Sequence, residues 1–223
     1  LHMELILVHI TDIHLENEAD YNILDNRSIY IANAINKHII DETNTLLVLC
    51  ITGDIAYSGK EEQYLSAAII ISDIVSGIRK RYKDLVIQIV TVPGNHDCDF
   101  DRDDSVVRDS LLRDTNLDMS NVSIIKTCTN VEENYFNFVK EWDHEIAPLV
   151  SASNESIFAV NGLEYKDVSL KFHCLNTAWC SSKNEKPKEM KITIPPLEDK
   201  SEKDIVITLM HHDESWLTWE SAE

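Results

Sequence analysis

The sequence predicts a layered α/β fold on three observations. Four short runs, Leu5–Ile10, Leu46–Ile51, Leu85–Val92 and Ile205–Met210, are apolar in a continuous rather than alternating way and rich in Ile, Val and Leu. That composition suits strands buried on both faces of a sheet. Between the first three runs lie apolar stripes at helical spacing, and the resulting β-α-β-α-β order is the signature of α/β layering. Each run also ends in a loop carrying Asp, Asn or His, at the strand ends where α/β proteins build their sites.

In chain order, the first stripe is Ile31, Ala34, Ile35, His38 and Ile39, and the second is Tyr64, Ala68, Ile71, Val75 and Ile78. Both follow the i, i+3, i+4 pattern of an amphipathic helix. Residues 103–150 read as mainly helical, with Val106, Leu111 and Leu112 in one piece. Tyr135, Phe136, Val139, Trp142 and Ile146 form the next piece. Ile157–Val160 and Ser169–Leu175 read as strands of a second set, joined by a turn at Asn161–Gly162. The polar segment Ser181–Asp204, with Pro187, Pro195 and Pro196, reads as a long surface loop.

Apolar residues make up 43% of the 223 residues and aromatics 7%, the profile of one soluble globular domain. No apolar run approaches the ~18–20 residues of a membrane span. No basic n-region or cleavage site marks a signal peptide. Five scattered cysteines without a CxxC pair argue against a disulfide framework and for a reducing cytoplasm. The net charge of −19 reads as solvated acidic faces that keep the protein soluble; the functional alternative is a carboxylate-rich site partly neutralised by bound cations. It disfavours nucleic acid as a partner, because no basic stripe displaces counterions.

The loops carry the chemistry. They read Thr11-Asp12-Ile13-His14, Thr52-Gly53-Asp54, Pro93-Gly94-Asn95-His96-Asp97 and His211-His212-Asp213. Carboxylate, amide oxygen and imidazole without thiolate suit Mn, Fe or Zn, and one polar cluster is expected at one edge of the sheet. Two of the chain's five glycines, Gly53 and Gly94, fall in these loops. There a backbone must turn tightly or approach a ligand. An isolated Asp or Asn after a strand is ordinarily a cap or turn residue; the joint pattern is what points to a metal site. His9, His38, His144 and His173 lack such company and read as structural.

Asp12-Ile13-His14, Gly53-Asp54 and Gly94-Asn95-His96-Asp97 resemble, in order and spacing, the DxH, GD and GNHD motifs of calcineurin-like metallophosphoesterases. The resemblance implies a layered fold, a β-sandwich flanked by helices. It also implies a metal-dependent phosphoesterase that cleaves a phosphomonoester or phosphodiester with a hydroxide bridging two divalent metals. By the same resemblance, Asp12 and His14 bind the first metal, Asp54 bridges both, and Asn95 and His211 bind the second, with His212 as the competing choice. His96 protonates the leaving oxygen, and Asp97 orients its ring. Gly53-Asp54-Ile55-Ala56-Tyr57 also resembles the GDxxY of purple acid phosphatases, whose tyrosine binds iron. Those enzymes lack the first-motif histidine, so Tyr57 reads here as a wall of the pocket. Asn176 is expected to support the site.

The sequence departs from the family in lacking the closing GHxH motif, none of its nine histidines lying beyond His212. The expectation is a domain over residues 3–223 that stops before its last strands, with Leu1 and His2 a cloning remnant. It is also expected to bind metal weakly and to be fused to further domains in the native protein. His211-His212-Asp213-Glu214-Ser215-Trp216-Leu217 resembles the HHPxxWL string of modules fused to larger domains, including nucleotide-binding ones, so a nucleotide is among the expected substrates. A degenerate scaffold used for regulation or protein contact is the competing function. Substrate choice is expected to rest on residues 99–150 and 181–204.

Overall fold

The computed structural model describes residues 3–16, 18–114, 117–118, 120–142, 146–147, 156–194 and 204–218. Strands β1 (Glu4–Ile10), β2 (Thr45–Thr52), β3 (Val86–Val92) and β4 (Ile146–Ala147) form one parallel sheet in that order. Helices α1 (Glu18–Asn36) and α2 (Glu61–Arg79) make its first two crossovers. Every residue of β2 is buried, as its uninterrupted apolar sequence requires. The sheet is therefore covered on both faces at its centre. The two helices approach closely at Gly77, where a Cβ would lie 2.8 Å from that of Ala32.

The second sheet has the order β5 (Phe158–Tyr165), β6 (Val168–Leu175) and β7 (Asp204–Leu209). β5 and β6 are antiparallel, whereas β7 joins β6 in parallel. Leu170, Phe172, Cys174 and Leu209 of this sheet share one core with Leu46, Leu49, Val90 and Ile71. The predicted fold class stands: two sheets and flanking helices in an α/β arrangement.

Several elements differ from the sequence expectation. Asn161 and Gly162 make no turn; they pair with Phe172 and Lys171 in mid-strand. The hairpin turns instead at Lys166, whose φ is 55°. The alternation of partly buried Leu163 and Tyr165 beyond the Asn-Gly pair carries the strand onward, and the Tyr165 hydroxyl donates to the Thr45 carbonyl. Ile146 belongs to a strand paired with β3, not to the helix before it. α1 stops at Asn36, where the Tyr82 hydroxyl donates to the carbonyls of Asn36 and Ile39. Ile39 is nonetheless buried.

Beyond the first sheet, α3 (Ser105–Leu112), α4 (Val122–Cys128) and α5 (Glu133–Glu141) form the helical layer. A second core gathers Ile125, Ile157, Trp179, Met190 and Leu217. Within 181–194 the expected surface loop is exposed in part, but Met190 is buried and its backbone bonds to Trp216 and Thr218. Pro195 and Pro196 lie outside the described residues, as does His144. Arg108 is 1% exposed and joins the layer together, its guanidinium donating to the carbonyls of Cys128, Trp179 and Ser181 at 2.8–2.9 Å. No described helix is long and apolar enough to cross a membrane.

Candidate metal centre

The hydrogen-bonded pairing of β1 with β2 runs on past the strands. Asp12 and His14 donate their N–H groups to the carbonyls of Gly53 and Asp54, and Leu15 to that of Ile55. Holding the two loops in this register forces an unusual backbone. Asp12, His14 and Asp54 have φ of 55°, 51° and 53°, the left-handed region that costs a non-glycine residue about 1–2 kcal/mol. Three such residues side by side mark a site where geometry is held against local preference.

The close glycines serve the same crossing. A Cβ on Gly94 would lie 2.2 Å from Asp54 Oδ1, and one on Gly53 would lie 2.6 Å from Gly94 N and 2.7 Å from His211 Nδ1. Gly53 also has φ of 87°. Any side chain at either position would drive the loops apart.

The side chains converge on Asp54, which is 3% exposed. Its Oδ2 lies 3.4 Å from His14 Nε2 and its Oδ1 lies 3.4 Å from His211 Nε2. Asp12 Oδ1 is 3.5 Å from His14 Nε2, and Asn95 Oδ1 is 3.2 Å from His211 Nε2. The His96 N–H donates to Asp54 Oδ1 at 2.9 Å. The Thr11 hydroxyl donates to Asp12 and holds its carboxyl below the usual range, helped by the nearby imidazoles of His211 and His14 and opposed by partial burial.

These residues fit divalent cations. His211 Nδ1 donates to the Thr52 carbonyl at 2.8 Å, which leaves Nε2 as the nitrogen turned toward the cluster. Nε2 faces the oxygens of Asn95 and Asp54 at 3.2 and 3.4 Å, so a proton or a metal cation must lie between them. Acceptors turned toward one another are stable only around a positive charge. With metal–ligand bonds of about 2.0–2.2 Å, neighbouring ligands stand roughly 3.0–3.5 Å apart, the spacing seen here. Donor atoms of His14, Asp54 and His96 also lie within 4.8 Å of one another. His14 Nδ1 is buried without a hydrogen-bond partner, so the polar contacts of this ring are all at Nε2, toward Asp12 and Asp54.

A family model described as calcineurin-like phosphoesterase matches residues 5–222. The chain belongs to this family. No curated protein matches it.

In this calcineurin-like phosphoesterase the structure brings together Asp12, His14, Asp54, Asn95, His96 and His211 as the sequence motifs suggest. Three expectations need correction. The cluster does not sit at the edge of one sheet: His211 follows β7, so the site spans the carboxyl ends of strands from both sheets. Asp97 does not touch the His96 ring. Fully buried, its carboxylate accepts from the N–H groups of Ala56 and Gly94 at 2.9 Å and from the Tyr64 hydroxyl at 3.0 Å. Burial pushes its carboxyl up to about 6, although the N–H donors of Ala56 and Gly94 pull the other way. Asp97 thus ties the β2 loop to the β3 loop. The His96 ring is oriented instead by the Tyr57 carbonyl, which accepts from Nδ1 at 2.6 Å.

Asn176, expected near the metals, lies elsewhere. Its Oδ1 accepts from the N–H groups of Ala178 and Trp179, and its Nδ2 donates to Glu132 and to the Ser156 carbonyl. His212 turns away from Asp54; its Nδ1 is 2.8 Å from the Thr177 hydroxyl and its Nε2 is 3.5 Å from Glu185. Residues missed from sequence are chiefly backbone carbonyls, of Thr52 and Tyr57, which no residue identity announces. The two segments expected to select substrate do meet, enclosing a cleft of about 760 Å³ lined by Phe100, Asp103, Arg113, Cys180, Lys183 and Lys191.

Proposed function

We propose that this chain is a metal-dependent hydrolase of phosphomonoesters or phosphodiesters. The observation that carries the proposal is Asp54, one buried carboxylate whose two oxygens face two different imidazoles across ligand-to-ligand distances. Asp12 and His14 would hold one cation, Asn95 and His211 a second, with Asp54 shared between them. When bound, such ions neutralise phosphoryl oxygens and bring the pKa of bound water toward neutrality.

The chain's own residues supply the rest. His96 donates its Nδ1 proton to the Tyr57 carbonyl, so Nε2 is the nitrogen that delivers a proton to the leaving oxygen. The left-handed backbone at Asp12, His14 and Asp54 holds the ligands in place before substrate arrives. Asp97 keeps the two loops in register. The convergence of carboxylate, amide and imidazole groups on one buried carboxylate supports chemistry over a scaffold, because packing alone does not call for it.

The test is Mn²⁺-dependent hydrolysis of bis(para-nitrophenyl) phosphate and para-nitrophenyl phosphate, beside an Asp54→Asn control. The expected result is activity that falls by roughly 10²–10³-fold or more in the control. Mn²⁺ should also raise the melting temperature of the parent protein, by about 2.7 kcal/mol of stabilisation at a hundredfold excess over Kd. It should leave Asp54→Asn unmoved. A metal-induced shift without hydrolysis of either ester would instead support the scaffold.

A further inference from the structure

We propose that Tyr57 is the platform on which the leaving group rests, and that the leaving group of the ester cleaved carries a planar aromatic ring, as a nucleoside does in its base. The inference rests on the phosphoesterase function proposed above and names the substrate class of that site.

His96 Nδ1 is taken by the Tyr57 carbonyl, which leaves Nε2 for the substrate. The group that departs with the proton must lie beside that nitrogen. The Tyr57 ring flanks both imidazoles of the site, its centroid 5.3 Å from that of His96 and 6.2 Å from that of His14. Its backbone is fixed at both ends, the N–H donating to the Leu15 carbonyl and the carbonyl accepting from His96. The preceding Ile55 and Ala56 are fully buried, yet Tyr57 is 47% exposed. A large ring on a fixed backbone, beside the reacting groups and left half in water, offers a π-face for stacking. Stacking of this kind accepts any base or aryl ring and gives a saturated group far less. The alternative, in which the phenol oxygen binds a metal, depends on the hydroxyl, whereas stacking depends only on the ring.

The experiment compares the parent protein with Tyr57→Phe and Tyr57→Ala. Binding of adenosine monophosphate and of ribose phosphate is measured by titration calorimetry in Mn²⁺, with hydrolysis of both followed separately. The parent should prefer adenosine monophosphate by roughly tenfold or more. Tyr57→Phe should keep that preference and Tyr57→Ala should lose it through KM rather than kcat, with ribose phosphate unaffected. A parent without the preference, an Ala variant that keeps it, or a Phe variant that behaves like Ala would each overturn the platform. If both esters bind with the expected preference but neither they nor bis(para-nitrophenyl) phosphate is hydrolysed, the platform stands and the hydrolase proposal fails. Hydrolysis without preference is the reverse.

Discussion

At the scale of single residues, the site is built from groups whose partners are fixed before any ligand arrives. Asp97 is the clearest case. A residue next to His96 in the sequence reaches across to Ala56, Gly94 and Tyr64, three donors from two loops and a helix. Asp97→Asn would turn an amide N–H₂ toward at least one backbone N–H, leaving buried donors opposed. The expected cost is about 2–3 kcal/mol, or a fall of roughly 4–12 °C in melting temperature without metal. Activity should fall only as far as the loops loosen. Loss of kcat at an unchanged melting temperature would instead restore the ring-orienting role. What the sequence disclosed at this scale is the side-chain chemistry, because Asp, His and Asn in tight motifs have few other uses together. It could not disclose that the Thr52 and Tyr57 carbonyls set the tautomers of His211 and His96, since every residue has a carbonyl.

At the scale of elements, buried regular segments were legible and their boundaries were not. β1, β2, β3 and β7 lie where continuous apolar runs stand, but only β2 is buried along its whole length, as a strand covered on both faces is; β1 and β7 leave Leu7 and Ile205 exposed. The turn at Lys166 was not legible. Asn-Gly is a strong local signal, but the alternating burial of Leu163 and Tyr165 against the core outweighs it. α4 falls within the stretch read as mainly helical, but its own bounds were not legible, its apolar face being shared with a second small core rather than the main one. The helical layer owes its position to one charge. Arg108 on α3 bonds the carbonyl of Cys128 at the end of α4 and those of Trp179 and Ser181 in the segment that follows β6. Arg108→Leu would leave all three buried without donors, and urea unfolding should show a loss of about 3–5 kcal/mol. A loss below ~1 kcal/mol would mean that water replaces the guanidinium and that α3 docks through its apolar contacts alone.

At the scale of the whole molecule, the parallel sheet brings three of the four polar loops together, and the second sheet delivers the fourth, so a site spanning two sheets depends on global folding. Stability therefore bears directly on activity, and pH should govern it through a group outside the site. Glu132 is fully buried, and burial pushes its carboxyl up to about 8, with the Asn176 amide and the Arg108 charge pulling the other way. Between the ordinary carboxyl value of 4.5 and about 8 the folded protein holds a proton that the unfolded chain has released. Stability from this group must then fall as pH rises through that window, by at most about 1.4 kcal/mol per pH unit, and level off outside it. Glu132→Gln removes the titration while keeping a carbonyl oxygen for Asn176. Its melting temperature should lie near that of the parent at the acidic end of the window and several degrees above it at the alkaline end. The difference between the two curves isolates Glu132 from the other titrating carboxylates of a chain with net charge −19. Parallel curves across the window would mean that Glu132 stays ionised in the fold, its charge carried by Arg108.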